Sequence, residues 1–211
     1  MFRTPRTYIA SAVAALATPL VAAVAAAQAT PASRARNDAA AKIANALSAG
    51  PAEITRGAAV MDWPAREGAP LTTLREGTNG WVCLPDDPSS PGNDPQCVDA
   101  VWAQAFEAYF SGKPVTVPRV GYAYMLTADA MGSNTDPTAS KPTADNQWHH
   151  QGPHVMVIYP DARLLDGLPT TPTAGGPYVM FAGTPIAHVM WPTGTGYAHP
   201  AAHPTSSRRT P

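Results

Sequence analysis

The first apolar run in this chain is continuous rather than periodic. From Tyr8 to Ala27 it is dominated by alanine, follows Arg3 and Arg6, and ends on Ala27-Gln28-Ala29. A positive start, an apolar stretch and small residues at a cleavage site predict a signal peptide over residues 1–29. About twenty apolar residues also suffice to span a bilayer. Pro19 and the weak hydrophobicity of alanine argue instead for cleavage, leaving no stable membrane insertion and a periplasmic or secreted protein.

Beyond a loose mature start at 30–36, the pattern becomes amphipathic. Asn37 or Asp38 can cap a helix through Ile43 and Leu47, ended by Gly50-Pro51. GAAVMDW (57–63) reads as a strand stopped by Pro64, and LTTLREGTNGWVCL (71–84) as a hairpin turning at Gly77, Asn79 and Gly80. Over 98–110, Val98, Val101, Trp102, Ala105, Phe106 and Tyr109 recur with helical spacing, and Gly112 and Pro114 close that helix. Short apolar runs at 119–126, 153–159, 177–181 and 186–191 predict strands, the last two joined by the turn Ala182–Pro185. The polar stretch 127–150 reads as a long functional or covering loop. From 193 to 211 there is no apolar period, which predicts a disordered tail. The expected fold is a single α+β domain over 37–192, an antiparallel sheet of five or six strands with two helices packed on it.

Charge and cysteine narrow the setting. Residues 1–29 hold two of the 14 basic residues and none of the 15 acidic ones, which leaves 12 against 15, a net charge of −3. That balance gives no basic face for nucleic acid. Cys83 and Cys97 are the only cysteines, and behind an export signal they predict a structural disulfide around a proline-rich loop.

A repeated phrase supplies the candidate chemistry. Gly152-Pro153-His154-Val155-Met156, Gly176-Pro177-Tyr178-Val179-Met180 and Ala187-His188-Val189-Met190 each place a His or Tyr two residues before a Met. Alternation along a strand puts each such pair on one face. A hydrocarbon-like core explains this pattern. So does a copper site on His154, Met156, His188 and Met190, because thioether and imidazole donors select Cu(I). Trp148, His149, His150 and Tyr178 suggest a ligand-binding site. Alternatively, His149, His150 and His154 could serve a zinc-dependent hydrolase. Asp86, Asp87, Asp94 and Asp99 read as turn and cap residues, with Asp94 capping the second helix. No G-x-S-x-G elbow or H-E-x-x-H helix occurs, and Asp62, Glu67 and Glu76 are scattered carboxylates.

LREGTNGWVCLP, NDPQC, GYAYML and GPHVM together resemble a family of exported bacterial proteins with no established activity. The resemblance covers about 40–192, implies one exported unit, and carries no catalytic residue across. The reading favoured by the residues is a non-catalytic domain that binds a small molecule or an envelope component.

Overall fold

The computed structural model describes residues 31–64, 66, 69–172 and 176–194. The expected signal peptide and most of the expected tail (195–211) lie outside the described residues, as does Glu67.

Helix α1 spans Pro31–Ser48, so residues 31–36 are helical rather than loose. Its narrow apolar stripe behaves as the pattern predicts. Ala46 and Ala49 are fully buried, and Ile43 and Leu47 pack with them against Val60, Cys83 and Cys97. A short helix α2 (Ala52–Thr55) follows, which the sequence reading did not contain.

Among the described residues the main sheet has eight strands, not five or six. They are β1 (Ala59–Asp62), β2 (Thr72–Arg75), β3 (Val82–Leu84), β5 (Gln96–Val98), β6 (Gly121–Met125), β9 (His154–Ile158), β10 (Tyr178–Met180) and β11 (His188–Pro192). Their order is β10-β11-β9-β6-β5-β3-β1-β2. All neighbours are antiparallel except β1 and β3, which are parallel, so the sheet is mixed. A second sheet of three strands joins β4 (Gly92–Asn93), β7 (Asp129–Gly132) and β8 (His149–Gln151) in that order. The stretch 127–150 is thus no simple loop: its ends are strands of this smaller sheet.

The expected 71–84 hairpin does not form, because β1 lies between β2 and β3. The connection crosses the start of β1, where the Thr78 and Asn79 N–H groups donate to the Gly57 carbonyl at 2.7 and 3.3 Å. Gly77 is needed for close approach rather than for a turn. A Cβ there would lie 2.1 Å from the Ala59 nitrogen and 2.7 Å from the Ala58 carbonyl carbon. Because both obstacles are backbone, Gly77→Ala is expected to cost about 2 kcal/mol by overpacking. Denaturant unfolding should show a lower midpoint with an unchanged slope.

Helix α3 (Ala100–Phe110) is capped by Asp99, not Asp94, since the chain remains in β5 through Val98. The Asp99 carboxylate accepts from the Trp102 N–H at 2.9 Å and pairs with Arg119 at 3.1 Å. Asp86 and Asp94 instead bind backbone N–H groups across the proline-rich loop, Asp86 accepting from Asp94 and Asp94 from Asp87. Burial raises the Asp94 pKa above its ordinary value, opposed by the Asp87 N–H. That loop is closed by the Cys83–Cys97 disulfide, which joins directly opposed positions on β3 and β5.

Helix α3 packs one face of the sheet through Val101, Trp102 and Ala105. On the other face, α1 covers the β1–β3–β5 end. A 3₁₀ turn (Ala162–Leu165) brings Leu165 onto Val179 and Val189 at the opposite end. The strands between, buried on both faces, carry the repeated His/Tyr-x-Met phrase.

Candidate functional site

The register decides what the phrase builds. In β9 and β11, Met156 is directly opposite Met190, His154 opposite Pro192, and His188 opposite Ile158. In β10 and β11, Tyr178 is opposite Met190 and Met180 opposite His188. Strand alternation therefore places His154, His188, Met156, Met180, Met190 and Tyr178 on one face, the face under α3. The methionines of the two H-x-M pairs share a height. The histidines lie beyond them in opposite directions.

Both imidazoles are completely buried. His154 Nδ1 lies 2.6 Å from the Gly152 carbonyl and His188 Nδ1 lies 2.8 Å from the Ile186 carbonyl. A carbonyl only accepts, so Nδ1 carries the proton in each ring and Nε2 presents a lone pair. Neither Nε2 has a hydrogen-bond partner among the described residues. Burial drives both pKa values down to about 4, against the raising effect of the backbone carbonyls. The rings are therefore neutral at pH 7. Leaving a buried acceptor without a partner costs about 1–3 kcal/mol, and two such atoms on one face call for a physical reason.

The surroundings differ at the two ends. His188 is walled by aromatic rings, with centroids of Trp102 at 4.9 Å, Phe181 at 5.5 Å and Phe106 at 6.5 Å. His154 faces Met125 of β6 directly across the ladder. Met125 was not among the sequence candidates. The tertiary pairing of β6 with β9 alone brings it in.

The Trp148–His150 cluster separates. His149 Nε2 lies 3.0 Å from the Tyr178 hydroxyl, and its Nδ1 lies 3.1 Å from the Gln147 carbonyl. Burial lowers the His149 pKa, opposed by that carbonyl. His150 points the other way and meets Asp129 at 2.6 Å, as adjacent residues of a strand must. Trp148 is half-buried just before β8. His149, His150 and His154 thus take three different partners. Among the described residues no three His, Cys, Asp or Glu side chains converge, so the zinc triad expected as an alternative does not assemble.

Sequence reasoning missed Asn134, which is 1% exposed and ties three segments together. Its side-chain N–H groups donate to Gln147 Oε1 at 3.0 Å and to the Thr170 carbonyl at 2.8 Å. Its own carbonyl accepts from the Phe181 N–H at 2.8 Å. Among the described residues, Gln147 and Phe181 are the two non-glycine residues with positive φ, at 46° and 56°. Such strain persists only where surrounding contacts enforce it. The Ser133-Asn134-Thr135-Asp136-Pro137 string, rich in turn-forming side chains, was the available signal.

On the face opposite the methionines, an open groove of about 570 Å³ is lined by Leu165, Leu168, Val179, Pro185 and Ala187 with Thr170. It shares no residue with the His149–Tyr178 pair. No family model, curated protein or solved structure matches the chain.

Proposed function

We propose that this chain is an exported, non-catalytic binding protein, and that the ligand its buried face fits is a soft monovalent metal ion, Cu(I). One observation carries the reading. Two fully buried, neutral imidazoles hold their Nε2 lone pairs without hydrogen-bond partners, on the same face as an opposed pair of methionine thioethers. Imidazole and thioether are the donors that Cu(I) prefers over harder ions. An Nδ1–H held by a carbonyl is the usual outer support of a metal-binding imidazole. A purely apolar core accounts for the methionines but leaves both nitrogens unpaired, as it leaves the Trp102 Nε1–H beside His188. Export is supported by the disulfide, and among the described residues no helix is long and apolar enough to cross a membrane.

Untagged full-length protein should compete with a chromophoric chelator for Cu(I) under anaerobic conditions. His154→Gln with His188→Gln should weaken that binding at least a hundredfold. Cu(I) affinity unchanged in this double variant would defeat the reading.

A second reading, binding of a small amphipathic molecule, rests on the open groove beside Leu165 and Val179, which Arg163 and Asp166 also line. A thermal-shift screen with Leu165→Gln as control tests it.

A further inference from the structure

The buried face holds more soft donors than a single ion uses. Met125 on β6 stands directly opposite His154, and Met180 on β10 stands directly opposite His188. Both outer methionines are buried, as are Met156 and Met190 between them. About the Met156–Met190 rung, the four strands β6-β9-β11-β10 form a local two-fold arrangement. One half contains Met125, His154 and Met156; the other contains Met180, His188 and Met190.

The two imidazoles spring from separate rungs of the ladder. His154 pairs with Pro192 and His188 lies four residues earlier on β11, so their rungs are separated by about 13 Å at about 3.3 Å per residue. A metal–imidazole bond is only about 2 Å long. Each ring is also pinned at Nδ1 to the carbonyl two residues before it. Because the two ring nitrogens lie on opposite sides of an imidazole, Nε2 turns away from that carbonyl. Each histidine has one methionine two residues ahead on its own strand and another directly across the ladder.

We propose that the layer binds two Cu(I) ions, one held by Met125, His154 and Met156 and the other by Met180, His188 and Met190. This rests on the Cu(I) reading above and adds its stoichiometry and two further ligands. A closed-shell ion has no geometric preference from its d electrons, so three donors from a rigid sheet suffice for each. The Trp102, Phe106 and Phe181 rings around His188 keep water from that end.

Anaerobic titration of the untagged full-length protein, followed by X-ray absorption at the copper edge, tests the proposal. Two equivalents should bind, with an average of two sulfurs and one nitrogen per copper. Met125→Leu and Met180→Leu keep core volume and should leave the chain folded. Each should weaken one equivalent at least tenfold and spare the other. A single equivalent that needs both histidines and ignores the Leu variants would overturn the two-ion proposal while leaving the Cu(I) reading intact. Two equivalents that survive both Leu variants and the double Gln variant would overturn it as well. No binding at all would remove both.

Discussion

Between pH 6.5 and pH 4 the metal-free protein is expected to lose about 3 kcal/mol of stability for each of its two buried imidazoles, the value of a pKa drop from 6.5 to about 4. His154 and His188 are neutral in the fold because burial penalises their charged forms. In the unfolded chain they take up protons as the pH falls through 6.5. Within that window the unfolded state binds more protons than the folded state, so stability rises with pH and falls on acidification. Above pH 7 these groups contribute no slope, and below about 4 their contribution levels off. Because a domain's net stability is usually only about 5–15 kcal/mol, loss on this scale should bring acid unfolding near pH 4–5. Denaturant curves at stepped pH, with a chelator present, measure the effect, and His154→Gln with His188→Gln should flatten it. Proton NMR titration of the wild-type rings offers a check that needs no variant. A ring pKa near 6 for both histidines would contradict the prediction.

Reducing Cys83–Cys97 is expected to cost about 3 kcal/mol, the loop-closure value for a loop of about 15 residues. The bridge joins directly opposed positions on β3 and β5, and both half-cystines are fully buried beneath α1. Two links of the fold therefore weaken together. The proline-rich segment gains freedom in the unfolded chain, and the small cluster of Ala46, Ala49, Val60 and the cystine loses its anchor. The larger cluster under α3 shares no residue with it, so the loss should begin at the α1 end. Hydrogen exchange with and without reductant should show protection falling first in α1, β1 and β3. Equal unfolding midpoints for the oxidised and reduced protein would refute the argument. The same experiment bears on export: protein recovered from fractionated cells should carry the bond and lack residues 1–29.

Much of the local structure was legible because it depends on local chemistry. Helix α3 shows its apolar period directly, and the phrase around His154, Tyr178 and His188 announces strands by alternation. The two cysteines announce their bond by being the only pair in the chain. The misreadings came from non-local competition. The 71–84 hairpin had the right turn residues, yet β1 takes the place between its arms, and Gly77 serves a chain crossing instead. Asp94 was a plausible cap, but β5 runs on to Val98 and makes Asp99 the residue at the helix start. The strands at the ends of 127–150 are short and carry too few apolar residues to show a period.

The sequence by itself determined the α+β character, the disulfide and the shared face of each His-x-Met pair, since these follow from spacing along one strand. Only the tertiary structure decided that Met156 meets Met190, that Met125 and Met180 join the same layer, and that both Nε2 atoms are buried without partners. The physical reason is that alternation sets which face a side chain takes, whereas height and neighbours depend on inter-strand register. Register is chosen by the packing of the whole sheet against α1 and α3, which no single strand encodes.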